Sequence, residues 1–219
     1  MTLSDQSMTG LPNCTVTAPL DHGDALAYYD RDAAAFAARY DAVSFAAVHP
    51  LLSRYLPESG RVLDVGAGSG RDACAMAARG LAVTAVEPSA GMRAIASAKS
   101  SGIRWIDDRL PKLARLREAA GQFDFVLCSA VLMLVAPEDL APSFAAMARL
   151  LTKNGRLGLN LRAPAADEPG NLFFDHTDEA VLDTALATGL VAIGRSEVGD
   201  ALGREAYRWR SFVFTYEGE

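Results

Sequence analysis

The stretch VLDVGAGSG, at residues 62–70, decides the fold. Its apolar first half, with Arg61 before it, predicts a short strand. The three glycines that follow predict a tight turn at which the backbone comes close to a ligand, because a Cβ would block that approach. Residues 71–79 predict a helix that stops at Gly80. This order of elements is typical of the first β/α unit of a nucleotide-binding sheet.

The same alternation of strand and helix continues along the chain. Further strands are predicted at 81–86, 103–106, 123–129 and 156–161. Helices are predicted at 88–100, 111–120, 143–151 (after a start broken by Pro137 and Pro142) and 177–188. Two strand-like segments with no helix between them, 190–198 and 209–216, close the chain. The pattern predicts an α/β fold, a doubly wound, mostly parallel seven-stranded sheet with an antiparallel C-terminal strand, which binds ligands at the carboxyl ends of its strands.

Length and composition limit the class of protein. A chain of 219 residues suits one full-sized domain, and 50% hydrophobic with 22% charged residues exclude a wholly disordered chain. The net charge of −6, without a Lys/Arg block, argues against DNA or RNA as a partner. Three widely spaced cysteines form no CxxC pair, and no run of about 18 apolar residues occurs. We therefore expect a cytoplasmic protein with no metal site, no secretory signal and no membrane partner.

An acidic residue follows the second strand. Glu87 lies 21 residues beyond Gly66, where a carboxylate accepts hydrogen bonds from both hydroxyls of a ribose. Together with the turn, this acid predicts an adenosine-containing cofactor. A dinucleotide fingerprint would have glycine or alanine where Arg71 stands, and Asp64 would repel a pyrophosphate but suits a cationic amino-acid tail. S-adenosylmethionine has such a tail and no phosphate, and an NAD-linked oxidoreductase is the alternative.

These motifs resemble those of the class I S-adenosylmethionine-dependent methyltransferases, over roughly residues 28–216. VLDVGAGSG is similar to the first motif of that family, and VTAVEPSAGM, at 83–92, is similar to the second, in which the acid takes the ribose hydroxyls. DDRLP, at 107–111, resembles the third, and either aspartate could lie near the adenine amino group. The resemblance implies a Rossmann-like fold and cofactor contacts from Asp64, Gly66, Ala67, Gly68, Gly70, Glu87, Pro88, Met92, Asp107, Asp108 and Ser129.

Fewer sequence features indicate which residues bind the methyl acceptor. In many members of the family the N-terminal helix covers the cofactor, so Tyr28 or Tyr29 could reach the methionine carboxylate or the acceptor. Arg162, at the end of the fifth strand, would face the mouth of the site, and His176 lies where the family often places acceptor-binding residues and could act as a base. The alternative for each is structural: helix packing for the tyrosines, and a solvated position for Arg162 and His176. His49 is interpreted as a helix-start residue.

Residues after the fourth strand limit the chemical class of the methyl acceptor further. The segment CSA, at 128–130, differs from the Asn/Asp-Pro-Pro-aromatic signature of enzymes that methylate nucleic-acid amino groups. LML, at 132–134, stands where many relatives carry a histidine. Asn160, at the end of the fifth strand, would face the mouth of the site. The missing signature and the acidic net charge favour a small-molecule acceptor. We expect in-line methyl transfer that depends mainly on positioning, with no catalytic base identified.

The predicted organisation is a flexible lead-in over residues 1–20 and a single methyltransferase domain over 21–219. Helices within 25–57 are predicted to cover the cofactor. Besides the oxidoreductase, a non-catalytic, methyltransferase-like binding module is the remaining alternative.

Overall fold

A computed structural model describes residues 24–119, 122–166, 168 and 170–218. The predicted lead-in over 1–20 lies outside the described residues. The helices are α1 (Asp24–Arg31), α2 (Ala33–Asp41), α3 (Phe45–Val48), α4 (Arg71–Ala77), α5 (Ala90–Ser97), α6 (Pro137–Leu150) and α7 (Asp178–Ala187). The strands are β1 (Arg61–Val65), β2 (Ala82–Val86), β3 (Arg104–Ile106), β4 (Phe123–Ser129), β5 (Leu151–Leu161), β6 (Leu190–Gly199) and β7 (Arg208–Tyr216).

The strands form one seven-stranded sheet in the order β3-β2-β1-β4-β5-β7-β6. The first five are parallel, and β7 is antiparallel to both β5 and β6. The predicted doubly wound sheet with an antiparallel C-terminal strand is confirmed. The strand order reverses between β1 and β4, whose ends pair at Val65 and Cys128, so the crevice expected of this topology opens beside the Gly-rich turn.

Side chains alternate across β1 and define the two faces of the sheet. Leu63 belongs to the apolar cluster shared with Phe144 of α6, and Val62 belongs to the cluster shared with Met76 of α4. Asp64, two residues after Val62, therefore shares the α4 face. The N-terminal helices α1 and α2 pack on α5, which brings the start of the described chain over the carboxyl ends of the strands.

The helix predicted with a broken start is continuous. Pro142 lies inside α6, where a missing hydrogen bond and a steric clash cost about 3 kcal/mol. Leu140, Phe144 and Met147 on the same helix are buried, and each contributes about 1.5–3 kcal/mol. Burial of this face outweighs the local effect of the proline.

Two further predictions of secondary structure were wrong. The segment 111–120 forms a short 3₁₀ helix at Ala114–Ala119 instead of an α-helix. Leu113, directly before this helix, has a φ of +44°, which an α-helix starting at residue 111 could not contain. Strand β5 starts at Leu151 rather than at 156, with a register irregularity around Asn154, whose φ is +62°.

Candidate active site

The glycines of the Gly-rich turn differ in what surrounds the position of a missing Cβ. A Cβ on Gly66 would lie 2.3 Å from Val131 Cγ2, so this position is closed by protein. A Cβ on Gly68 would meet nothing within 4 Å, and the φ of Gly68 is +53°. The missing side chain at Gly68 therefore keeps open space that a bound molecule can occupy.

That space belongs to a cavity of about 570 Å³ at the carboxyl ends of the strands. One end, which we call the turn end, is lined by Gly66 to Ser69, Glu87, Pro88, Met92 and Asp108. A second part of the lining, which we call the far end because its residues are far from the turn along the chain, comes from the N-terminal helices, the β6–β7 connection and β7: Leu26, Tyr29, Tyr40, Leu202 and Trp209. Ser129 and Asn160, at the ends of β4 and β5, also line the cavity.

Glu87 is anchored but keeps acceptor capacity. Its Oε2 accepts a hydrogen bond from the Gly68 N–H at 2.7 Å, and its Oε1 accepts one from the Ser89 N–H at 2.8 Å. Burial raises the pKa of its carboxyl, and these two backbone donors oppose the rise. A carboxylate has about four lone-pair positions, so each oxygen can take a further hydroxyl donor. The geometry fits a pair of ribose hydroxyls.

The structure separates the two aspartates that the sequence left as alternatives. Asp108 lines the cavity and accepts hydrogen bonds from the backbone N–H groups of Arg109 and Arg115. Asp107 is about half exposed, outside the cavity lining, and its Oδ2 lies 3.5 Å from Arg93 Nη2. The arrangement favours Asp108 as the residue near an adenine.

A polar cluster that the sequence analysis did not predict lies beside the turn. Fully buried His49 places its Nε2 2.9 Å from Asp72 Oδ2 and 3.4 Å from Ser129 Oγ. Its Nδ1 lies 3.5 Å from Asn160 Nδ2. His49, interpreted above as a helix-start residue, is thus a core residue that joins α4, β4 and β5.

The orientation of Asn160 assigns the tautomer of His49. Asn160 Oδ1 accepts a hydrogen bond from the Ala130 N–H at 2.9 Å, so the amide NH₂ faces His49 Nδ1. Nδ1 must then be the acceptor, and Nε2 carries the proton that is donated to Asp72. Ser129 and Asp72 both contact Nε2, whereas a catalytic Ser-His-Asp triad uses both ring nitrogens. The cluster is therefore not arranged as a nucleophilic triad.

Asp64 and Asp72 differ in environment. Burial by itself would raise the pKa of Asp72, but contacts with His49 and Arg71 outweigh it and hold that pKa well below its usual range. Burial, and then the charge on Asp72, raise the pKa of Asp64 well above its usual range. Asp64 lies outside the cavity lining, and its Oδ2 has no hydrogen-bond partner among the residues that the structure describes.

The residues predicted to contact the acceptor are only partly brought together. Tyr29 lines the cavity, whereas Tyr28 lies outside the lining and packs edge-on against Tyr29 and Phe173. Buried Arg162 lies outside the lining too: its Nη1 lies 2.7 Å from Glu168 Oε2, and its guanidinium stacks over the Tyr207 ring.

His176 and Gly70 are also outside the lining. The Nε2 of buried His176 lies 3.0 Å from the Leu132 carbonyl and 2.9 Å from the Val135 carbonyl, which ties down the turn after β4. Gly70 precedes α4, and a Cβ there would lie 2.9 Å from Ala96 Cβ. These positions support structural roles for both residues.

The connection between β6 and β7 contributes to the far end and was not predicted as part of the site. Asp200 lies 2.7 Å from Arg204 Nη2 and accepts a hydrogen bond from Trp209 Nε1 at 2.8 Å. Burial would raise the pKa of Asp200, but these donors lower it to about 2. The network holds Leu202, Arg204 and Trp209 against the cavity.

Within the described ranges, no three His, Cys, Asp or Glu side chains are placed to hold a metal ion. No described helix is both long enough and apolar enough to cross a membrane.

The chain was compared with known protein families, sequences and structures. Residues 62–155 match a family model described as a methyltransferase domain, from β1 into β5. No curated protein sequence matches the chain.

Three solved structures illustrate the similarity of fold. The 1,6-didemethyltoxoflavin-N1-methyltransferase of Burkholderia thailandensis, solved with 1,6-didemethyltoxoflavin and S-adenosylhomocysteine, is 20% identical, with a TM-score of 0.66 and coverage of 93% of this chain and 94% of that one. The [4+2]-cyclase SpnF is 14% identical, with a TM-score of 0.72 and coverage of 92% and 98%. The phosphoethanolamine N-methyltransferase 2 of Haemonchus contortus, solved with phosphomonomethylethanolamine and S-adenosylhomocysteine, is 17% identical, with a TM-score of 0.70 and coverage of 93% and 61%.

The matched stretch contains the Gly-rich turn, Glu87 and Asp108, which are the residues that form the turn end of the cavity. The sheet order, the turn and the domain match agree: residues 62–155 match the methyltransferase-domain family, and the chain has the fold of the methyltransferase structures compared with it.

Proposed function

We propose that this protein transfers a methyl group from S-adenosylmethionine to a small-molecule acceptor bound at the far end of the same cavity. The observation that carries the proposal is the continuity of the cavity from Gly68 and Glu87 to Tyr29 and Leu202. Methyl transfer requires two molecules held at attack distance with water excluded, and one cavity with two differently lined parts can hold both molecules.

The turn end fits the cofactor. Glu87 would take the ribose hydroxyls, Asp108 would lie near the adenine, and the open position at Gly68 leaves room beside them. Gly66 and Ala67 supply backbone, and Pro88, Met92 and Ser129 supply side-chain walls. When bound, the cofactor supplies an electrophilic methyl group on a sulfonium centre.

The far end favours an uncharged acceptor with an apolar or aromatic body. Leu26, Leu202 and Trp209 offer apolar surface there. The charged side chains that the β6–β7 connection brings to the cavity, Asp200 and Arg204, pair with each other. Burying an unpaired charge against such surface is costly, so a neutral molecule fits better than a phosphorylated one.

The tyrosines of the far end would position the acceptor rather than deprotonate it. Burial raises the pKa of Tyr29 well above its ordinary value, and burial raises the pKa of Tyr40 as well. Both phenols therefore stay neutral at physiological pH and can hydrogen-bond to an acceptor, but neither is a base. This agrees with a reaction that relies on positioning and on the exclusion of water.

We further infer that the partner is a small molecule and not a nucleic acid, because the net charge is −6 and the chain has no Lys/Arg block. The cysteine pattern supports a reducing, cytoplasmic location.

The test is calorimetric titration with S-adenosylmethionine, S-adenosylhomocysteine and NAD, followed by transfer of a labelled methyl group to paired neutral and phosphorylated acceptors. We expect binding of the two sulfur compounds, no binding of NAD, and label on neutral acceptors only. Binding of NAD alone would restore the oxidoreductase alternative.

A matched pair of variants separates the two ends. Leu202→Arg should abolish label transfer and keep S-adenosylhomocysteine affinity, whereas Glu87→Ala should weaken that affinity. Because one structure of similar fold is named a cyclase, binding alone is not sufficient. Cofactor binding with no labelled product from any acceptor, including cell extract, would favour a non-catalytic module.

A further inference from the structure

A carboxylate at the start of α4 has no role in the site as described so far. Asp72 is 6% exposed and lines the cavity next to the Gly-rich turn. Arg71 Nε donates to its Oδ1 at 2.6 Å, while Arg71 Nη2 and His49 Nε2 donate to its Oδ2 at 2.8 and 2.9 Å. Since a carboxylate has about four lone-pair positions, a position on Oδ1 is left for another donor.

The neighbouring carboxylate lacks these features. Asp64 shares the α4 face of β1, lies outside the cavity lining, and has an oxygen without a partner among the described residues. Of these two buried carboxylates, Asp64 has its pKa raised by burial and by the charge on Asp72, which favours its protonated form. Asp72 is the ionised member, because Arg71 and His49 both donate to it.

We propose that Asp72, and not Asp64, accepts a hydrogen bond from the α-ammonium group of the cofactor's amino-acid tail, and that His49 is the residue that positions it. This rests on the proposed use of S-adenosylmethionine. Arg71 lines the cavity beside Asp72, so the protein presents a cation and an anion side by side. An α-amino-acid tail carries the same two charges and is complementary to that pair.

His49 acts through Asp72 and does not line the cavity itself. Its Nδ1 is held by Asn160, which directs the Nε2 proton to Asp72 Oδ2. With Oδ2 engaged in this way, Oδ1 is the oxygen with room for the ammonium group. Loss of the His49 donor should therefore loosen the contact with the tail without removing any group from the cavity surface.

The experiment compares two ligands by calorimetry. S-adenosylhomocysteine has the amino-acid tail, and 5′-methylthioadenosine has the same adenosine and sulfur without it. In Asp72→Asn we expect S-adenosylhomocysteine affinity to fall about 10- to 100-fold, the usual effect of losing a hydrogen bond between charged groups. The affinity for 5′-methylthioadenosine should change by less than about twofold, because that ligand makes no tail contact. Asp64→Asn, the matched control, should leave the ratio of the two affinities unchanged.

His49 variants test the positioning role. Glutamine can donate from its Nε2 as the histidine does, so His49→Gln should retain the affinity ratio, while His49→Leu should lower it. A merely structural role would weaken both ligands together and leave the ratio as it was. An unchanged ratio in His49→Leu would contradict the positioning role.

The outcomes distinguish failure of the proposed function from failure of the role assigned to Asp72. If the unaltered protein binds neither ligand, the proposed function fails. If it binds both, the proposal is overturned by an equal loss of both ligands in Asp72→Asn, or by a loss specific to the tail in Asp64→Asn. If Asp72→Asn does not fold, Asp72→Glu keeps the charge for Arg71 and displaces the carboxylate, and an unchanged ratio there overturns the proposal as well.

Discussion

Replacing Gly68 with alanine tests whether the Gly-rich turn holds the cofactor. A Cβ at this position would meet no protein atom within 4 Å, so the new methyl group projects into the cavity. The φ of +53° adds a backbone cost of about 1–2 kcal/mol for a residue other than glycine. For a chain of this size, each kcal/mol corresponds to a decrease of about 2–4 °C in Tm.

Gly80 is the matched control for that backbone cost. Its φ is +87°, a Cβ there would also meet nothing within 4 Å, and it is exposed after α4, away from the cavity. Gly80→Ala and Gly68→Ala should therefore lower Tm by similar amounts.

The two variants should differ in cofactor binding. A methyl group in space that the ligand needs has an overpacking cost of about 1–3 kcal/mol, which is roughly a 5- to 150-fold loss of affinity. Calorimetry with S-adenosylhomocysteine should show this loss for Gly68→Ala and none for Gly80→Ala. A folded Gly68→Ala protein that binds like the unaltered one would refute the assignment of the turn to the cofactor.

Three further predictions concern single side chains. Glu87→Gln should weaken both S-adenosylhomocysteine and 5′-methylthioadenosine by about 1–3 kcal/mol in calorimetry, since both carry the ribose. Because the pKa of Glu87 is raised, the unaltered protein should lose affinity on acidification sooner than an ordinary glutamate would allow, and the variant should not. Asp64→Asn should change how the free energy of unfolding depends on pH. Because the pKa of Asp64 is raised in the folded protein, the unaltered protein keeps its full stability below the unfolded aspartate pKa of about 3.9 and loses stability as pH rises through the higher pKa of the folded state. In urea unfolding, the advantage of the variant should grow with pH over that window, and a constant difference would contradict the protonated state of Asp64. His176→Ala should lower the free energy of unfolding by about 1–3 kcal/mol, because two buried carbonyls lose their donor, and should leave S-adenosylhomocysteine affinity intact; a specific loss of affinity would point to a role in the site.

The part of the site that could be predicted from sequence is the part encoded locally. The turn, the strand before it and Glu87 follow one another within a single β/α/β unit, so spacing alone brings them together. The sheet topology followed from the same alternation of elements, because parallel strands with helical crossovers have few allowed arrangements.

The position of Asp64 follows from the alternation of side chains along β1. Side chains alternate along a strand, and Asp64 shares its face with Val62, which packs against α4. Alternation therefore indicated a buried carboxylate under the helix rather than one at the edge of the sheet facing a ligand.

His49 could not have been placed from local pattern. Its partners Asp72, Ser129 and Asn160 lie on three other elements, between 23 and 111 residues away along the chain. Their meeting depends on how α3 docks against the sheet, which is a property of tertiary packing. The contribution of the β6–β7 connection to the cavity could not be predicted for the same reason, since only the fold brings Leu202 and Tyr29 to one cavity.

The two ends of the cavity have different origins along the chain. Glu87 and Asp108 come from the stretch shared with the methyltransferase-domain family, whereas Tyr29 precedes that stretch and Leu202 follows it. The flanking segments therefore supply part of the cavity wall that the shared stretch does not encode. If the proposed function holds, substitutions before residue 62 or after residue 155 should change which acceptor is used, while substitutions within the shared stretch should change the affinity for the cofactor.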